Sequence, residues 1–177
     1  MTITTERLEL IPLTIEDLEN ACCDQEKVFM RYGFIGTIQP TTSEMQGIYR
    51  LKITHMQEDP RNQLFSTYFW IKDRKTHQYL GEVGFKGFQE SFFSVEIGYG
   101  MIEAFRGKGY MTEAVKALVQ WAFSMRVEGL LYIIATTNLY NIPSQKVLEK
   151  VGFRQYSKDL EDIQWMIDVP RHHQIEQ

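Results

Sequence analysis

Phe105-Arg106-Gly107-Lys108-Gly109-Tyr110-Met111-Thr112-Glu113-Ala114 is the stretch on which the reading of this chain turns. It stands between a strand-like segment, Ser94 to Met101, and a helical pattern that runs from Thr112 onward. A strand, a turn rich in glycine and lysine, and a helix start make a phosphate site. Successive backbone N–H groups converge there, and the helix dipole adds positive potential. Glycine lets the backbone come close to an anion because no Cβ intervenes. Arg106, Gly107, Lys108, Gly109, Tyr110, Met111 and Thr112 are the residues that would form the cradle. Taken alone, the run also fits an ordinary strand-to-helix loop with a solvated arginine and lysine. Two other phosphate motifs are excluded. A Gly-x-x-x-x-Gly-Lys loop needs Ser or Thr next, but Gly109 follows Lys108 and Ile102 holds the upstream glycine position. The Gly-x-Gly-x-x-Gly order of a dinucleotide site is absent as well.

Downstream of the turn, Met111, Val115, Leu118, Ala122 and Met125 step by four, three, four and three, a buried helical stripe that Gly129 closes. The apolar run Leu130 to Ala135 predicts a strand covered on both faces. Strand, helix and strand at this spacing form a βαβ unit, so Leu130–Ala135 should lie parallel to Phe92–Met101. Upstream, Phe65 to Lys72, Tyr79 to Phe88 and Phe92 to Met101 read as three antiparallel strands joined by the short polar links Asp73–Gln78 and Gln89–Ser91.

The chain opens on a strand, Arg7 to Ile11, ended by Pro12. Thr14-x-x-Asp17 predicts a capping box for a helix reaching about Cys23, followed by a short helix over Glu26 to Arg31. A third helix, capped from Thr41, Thr42 or Ser43, shows Met45, Ile48, Tyr49, Lys52, Ile53 and Met56 on one face, with Lys52 its one polar member, and stops at Asp59-Pro60. At the other end, Asn138 to Ser144 leads into a helix with Pro143 in its first turn and Gly152 at its C-terminus. Phe153–Tyr156 and Gln164–Val169 form a last hairpin. Pro170 to Gln177 reads as a frayed tail, whose His172-His173 lacks ligand-spaced partners for a metal.

The 177 residues predict one domain, residues 1–177, able to bury a core without disulfides or metal. The composition, 44% hydrophobic and 24% charged, is that of a globular protein. A net charge of -4 argues against a nucleic-acid partner. The only two cysteines, Cys22 and Cys23, are adjacent and offer neither a disulfide framework nor zinc spacing. No signal peptide and no membrane-spanning run is visible, so a cytoplasmic location is expected, without a membrane partner. Either a monomer or a homodimer is compatible with the sequence.

Three separated stretches together resemble the GNAT N-acetyltransferase superfamily, and more narrowly its RimJ/RimL branch. They are Thr5 to Thr14, Glu96-Ile97-Gly98-Tyr99 through Thr112-Glu113-Ala114, and Asn141-x-x-Ser144-x-x-Val147 through Gly152-Phe153. The resemblance covers nearly the whole chain. It implies an α/β (α+β) fold: a mixed, mostly antiparallel central sheet of about six or seven strands, splayed near Tyr99 and Ile134, with about four or five helices on both faces. It implies acetyl-CoA as co-substrate, no metal, and a primary amine on a small molecule or a protein N-terminus as acceptor. Arg106-x-x-Gly109-x-Met111 matches the family's pyrophosphate turn, except that Met111 replaces a small residue and must turn its side chain away. Tyr99, Met101, Asn141 and Ser144 complete the implied cofactor contacts.

Acetyl transfer to an amine requires a neutral amine, a donor for the developing oxyanion and a proton for the departing thiolate. Glu96, on the strand before the turn, is the first base candidate, and Glu82 on the neighbouring strand is the reserve; a water chain could replace either. The position at which many relatives carry a tyrosine acid holds Leu148, and the resemblance offers Ser144 as the substitute, with Asn141 orienting the reacting end. Phe29 to Phe34 and Tyr68-Phe69-Trp70 would wall the acceptor site, or simply belong to the core. A non-catalytic acyl-CoA-binding sensor on the same fold is the alternative reading.

Overall fold

A computed structural model describes residues 1–38, 40–89 and 93–170. The expected link Gln89–Ser91, the first residue of the strand placed at Phe92, and the tail histidines His172 and His173 therefore lie wholly or partly outside the described residues.

Among the described residues one eight-stranded sheet runs in the order β1-β2-β3-β4-β5-β6-β8-β7. Its strands are β1 Ile3–Thr4, β2 Leu8–Pro12, β3 Tyr68–Asp73, β4 Tyr79–Gln89, β5 Ser94–Met101, β6 Tyr132–Asn138, β7 Arg154–Lys158 and β8 Asp162–Asp168. Every pairing is antiparallel except β5 with β6. The expected α/β fold is present, with one strand more than anticipated because the two-residue β1 folds back on β2, Ile3 opposite Leu10. Five helices accompany the sheet: α1 Ile15–Cys23, α2 Gln25–Tyr32, α3 Ser43–Glu58, α4 Tyr110–Ser124 and α5 Ile142–Val151.

Side-chain alternation splits the core in two. Leu8 and Leu10 of β2, Phe69 and Ile71 of β3, and Val83 and Phe85 of β4 join the α4 stripe Met111, Val115, Leu118 and Ala122. Ile11 of β2 and Trp70 of β3 join α1, α2 and α3 through Leu18, Phe29, Tyr49 and Met56. The capping box at the start of α1 forms as the sequence predicts: Asp17 N donates to Thr14 Oγ1 at 3.1 Å and Thr14 N donates to Asp17 Oδ2 at 3.0 Å.

Several boundaries move: β2 takes in Pro12, which pairs with Phe69, the last hairpin is Arg154–Lys158 with Asp162–Asp168, and others shift for a local reason. β3 starts at Tyr68 because Gln63–Phe65 forms a 3₁₀ turn that drops Phe65 onto Phe85 and Trp121. α4 ends at Ser124, so Met125 is exposed rather than part of the buried stripe, and Arg126 takes a positive φ. Gly129 thus lies in the following loop at φ +81° and does not cap the helix. β6 begins later and runs beyond the apolar stretch to Asn138, because Thr136, Thr137 and Asn138 pair with Gln164, Ile163 and Asp162 of β8.

The parallel pair positions the site. β5 and β6 pair at only three positions, Ser94 with Tyr132, Val95 with Ile133 and Glu96 with Ile134. Beyond Glu96 the strands separate and the sheet opens as a wedge, while β4 stays paired with β5 as far as Met101 and β8 with β6 as far as Asn138.

Candidate functional site

The turn after β5 leads into an α4 N-terminus of a particular kind. α1, α3 and α5 are capped by the side chains of Thr14, Thr42 and Asn141, whereas α2, like α4, has no side-chain cap. α4 begins at Gly109 with no side-chain cap. Gly107 and Gly109 sit at φ +74° and +79°, a region in which a Cβ is strained, and this geometry bends the chain into the helix. The first-turn amides of Tyr110, Met111 and Thr112 have no acceptor within the helix, so they face the wedge as ready donors.

The rest of that first turn is tied down. Glu113 accepts from Thr5 Oγ1 at 2.6 Å, from Arg7 N at 3.0 Å and from Arg7 Nε at 2.6 Å. Burial works against its charge, but these bonds outweigh it and hold its carboxyl below the usual range. Arg7 also donates to Lys108 O and lies over the Tyr110 ring, whose hydroxyl donates to Asp73. The Met111 side chain is buried in the core, directed away from the turn's outer surface.

A cleft of about 570 Å³ follows the wedge. Tyr99, Gly100 and Met101 of β5, Arg106, Gly107, Gly109, Tyr110, Met111 and Thr112 of the turn, and Asn141, Ser144, Lys146 and Lys150 of α5 are among the residues that line it. The structure thus brings together every cofactor contact expected from sequence except the Lys108 side chain, whose ammonium donates to Ala104 O at 3.0 Å. Lys146 and Lys150 were not anticipated; their spacing of four residues on α5 was the available signal. Asn141 spends its side-chain oxygen on Ser144 N at 3.3 Å, and Tyr99 donates its hydroxyl to Ser144 O at 3.1 Å. Burial pushes the Tyr99 phenol up to about 12. Leu148 is fully buried.

The base candidates part company. Glu96 occupies the last paired position before the wedge and is held by Lys86 at 2.6 Å; it lines neither cavity described here. Glu82 lines a second cavity of about 170 Å³, together with Phe29, Met45, Tyr49, Tyr79 and Ile102. It faces Gly100 across β4 and β5, so the two cavities adjoin along that strand pair. Tyr49 donates its hydroxyl to Glu82 Oε2 at 2.8 Å. Burial raises the Glu82 carboxyl above its ordinary value, against the lowering pull of the Tyr49 bond and the Lys52 charge. Opposite it on β3, Trp70 is fully buried, and its indole Nε1 has no partner among the described residues. The expected aromatic walls meet here: Phe29 packs edge-on against Trp70 at 5.9 Å, and Trp70 lies 4.8 Å from Tyr79. No His, Cys, Asp or Glu grouping among the described residues could hold a metal ion, and no helix there is long and apolar enough to cross a membrane.

A sheet opened between two parallel strands, beside a helix start without a side-chain cap, sets the architecture of this α/β protein. The family follows from comparison: residues 7–154 match the acetyltransferase (GNAT) domain, and the chain belongs to that family. The N-acetyltransferase YjdG of Bacillus subtilis, itself uncharacterised, is 36% identical over 98 residues, 55% of this chain and 57% of that protein, so the match spans just over half the relative. Among solved structures, the ribosomal-protein-S5-alanine acetyltransferase from Vibrio fischeri aligns over 96% of this chain and 97% of its own, with a TM-score of 0.67 and 20% identity. RimL, a ribosomal L7/L12 alpha-N-protein acetyltransferase solved in complex with coenzyme A, aligns over 96% and 98%, with a TM-score of 0.66 and 15% identity. These likenesses concern the fold.

Proposed function

We propose that the protein is an acetyl-CoA-dependent N-acetyltransferase acting on a primary amine. The observation that carries this reading is the adjacency of two different cavities, one lined by backbone donors and one by the half-buried Glu82 carboxylate, which meet along the β4–β5 pair. The cleft fits coenzyme A in kind: uncapped amides at Tyr110–Thr112 and the cations Arg106, Lys146 and Lys150 suit its phosphates. Asn141, Ser144 and Tyr99 lie on the α5 side of the wedge, in reach of its reacting end.

Acetyl-CoA supplies a thioester carbonyl carbon, which becomes bonded to the acceptor nitrogen as the carbon–sulfur bond breaks. Glu82 receives the proton that the amine sheds, a role that a carboxyl of raised pKa performs at neutral pH. The base thereby moves from Glu96, which Lys86 occupies, to Glu82. The nitrogen sheds a second proton as it is acylated, and Ser144 relays a proton to the departing sulfur as it takes up that one, while Asn141 keeps Ser144 at the head of α5. Leu148 has no proton to offer. The aromatic walls of the second cavity suit a small amine or the first residue of a protein N-terminus, bound as a cation before it loses its proton. A cytoplasmic enzyme is the setting this chemistry implies.

The test combines a thermal shift with acetyl-CoA and release of free CoA thiol with a panel of primary amines. A rise in melting temperature together with thiol release in the presence of at least one amine is the expected result. A thermal shift without thiol release from any amine makes the protein an acyl-CoA sensor, and no shift overturns the cofactor assignment.

A further inference from the structure

Lys52 is a buried cation that the reaction above does not use. It is 4% exposed, and its ammonium donates to Phe85 O at 2.7 Å and to Ser66 O at 3.4 Å. It also lies 4.0 Å from the centre of the Tyr68 ring. Carbonyl oxygens and a ring face are partners that accept from an ammonium without neutralising it. A lysine buried for packing alone would be expected to meet a carboxylate or to be replaced by an apolar residue.

Its placement is specific. Lys52 stands one helical turn after Tyr49 on α3, and Tyr49 is the residue that donates to Glu82. On β4 the residues facing α3 are Glu82, Gly84 and Lys86, and a Cβ at Gly84 would come within 2.9 Å of Tyr68 Cα. Gly84 lets β3 come close at Thr67 and Tyr68, and the Lys52 ammonium lies over the Tyr68 ring and is bonded to the backbone of Phe85, three residues along β4 from Glu82. One turn of one helix therefore delivers a hydroxyl and an ammonium to the surroundings of the same carboxylate.

We propose that Lys52 is a positioning residue of the acceptor site: its buried ammonium holds Glu82 in the carboxylate form, so that Glu82 is free to take a proton from the amine. This rests on the reading of Glu82 as the base. An unpaired carboxyl buried among Phe29, Trp70 and Tyr79 would otherwise take up a proton itself and stop working as a base. The other groups around Lys52 and Glu82 are Tyr49 on α3, Tyr68 on β3, Tyr79 and Lys86 on β4, and Glu96 on β5, which engages Lys86. Of these, Lys86 and Glu96 cancel one another's charge, and the phenols stay protonated. Lys52 is left as the cation that acts on Glu82. Burial lowers the Lys52 pKa to about 7, so its influence is confined to neutral and acidic solution and fades as pH rises.

That limit supplies the test: pH profiles of kcat/KM for wild type, Lys52→Met, Lys52→Arg and Glu82→Gln. Wild type should show an acidic limb, lost in Glu82→Gln. Lys52→Met should move the limb to higher pH by about one unit, a roughly tenfold loss near pH 6, and converge on wild type near pH 9. Lys52→Arg, which keeps the charge, should restore the limb to the wild-type position. A purely structural role for Lys52 would depress the rate equally at every pH and overturn the proposal, as would an unshifted limb in Lys52→Met. If the limb survives in Glu82→Gln, the base assignment itself fails; if Glu82→Gln removes it while Lys52→Met leaves it in place, only the Lys52 proposal fails. Should Lys52→Met not fold, carboxyl-labelled glutamate in the wild-type protein gives the same answer. The Glu82 resonance, identified by its loss in Glu82→Gln, should show a second inflection where Lys52 loses its proton, and a single-step titration overturns the proposal.

Discussion

The two cavities that meet at β4 and β5 are made of different materials. The cleft beside α4 is built from main chain: positive-φ glycines, three unpaired amides and a strand that leaves its parallel neighbour after three pairs. The cavity beneath α3 is built from side chains gathered across the chain: Phe29 from α2, Met45 and Tyr49 from α3, and Tyr79 and Glu82 from β4. Main-chain sites are indifferent to most side-chain changes and intolerant of a changed backbone path. Side-chain sites are the reverse. A family can therefore keep the first kind of site while varying the second, and the difference can be measured residue by residue.

The largest effect should come from the side-chain cavity. Glu82→Gln is nearly isosteric and removes the proton acceptor, so kcat should fall by about 100-fold while acetyl-CoA affinity holds. The sign of its pH dependence follows from the direction of the shift. Burial raises the Glu82 pKa, the active form is the carboxylate, and wild-type activity should fall as pH drops through a value above the ordinary glutamate range. The variant should lack that limb. Equal loss of affinity and rate would erase the distinction between the two cavities.

Next is the main-chain site. Gly109→Val should weaken acetyl-CoA binding about tenfold or more by equilibrium titration, because a β-branched residue resists φ +79° and displaces the amides behind it. Circular dichroism should still report a folded protein, and unchanged affinity would mean that the anion binds elsewhere. A smaller change is expected for Ser144→Ala, about fivefold in kcat with acetyl-CoA affinity intact, the pattern of a contact made mainly as the bond breaks. Smallest of all should be Glu96→Gln, within about twofold in kcat, since its partner Lys86 is exposed and such pairs contribute little. A drop in kcat for Glu96→Gln as large as that for Glu82→Gln would return the base to the last paired position of the wedge.

How much of this was legible depended on the same distinction. The glycine turn before α4 could be read because its determinants are consecutive: Arg106 to Thr112 state their geometry in seven residues. The capping box at Thr14 and the βαβ unit were legible for the same reason. The second cavity was not, because Phe29, Tyr49, Tyr79 and Glu82 come together only through the packing of α2 and α3 against β4. Lys52 was visible as the one polar residue on an apolar helical face, but nothing local showed that its partners would be carbonyl oxygens and a ring. Glu96 was placed ahead of Glu82 because it neighbours the turn in sequence, and the Lys86 side chain that occupies it sits ten residues away. β6 overran its apolar run for a related reason: Thr136 to Asn138 are strand because of β8, not because of their own preference.

The parting of β5 from β6 has a consequence outside catalysis. From Ile97 to Met101 on one side, and from Ala135 to Asn138 on the other, each strand keeps a neighbour only on its outer flank. Two half-satisfied ladders therefore face each other inside the sheet, in the position where other folds suffer strand invasion and clumping at their margins. Here the opposing rows are too far apart to close on each other, and α4 and α5 stand over the gap. A narrow ligand with its own amide groups could settle between the rows and be bonded from both sides, becoming for a time an internal strand. Slowed amide-hydrogen exchange across both rows would then report its arrival more directly than any change in shape.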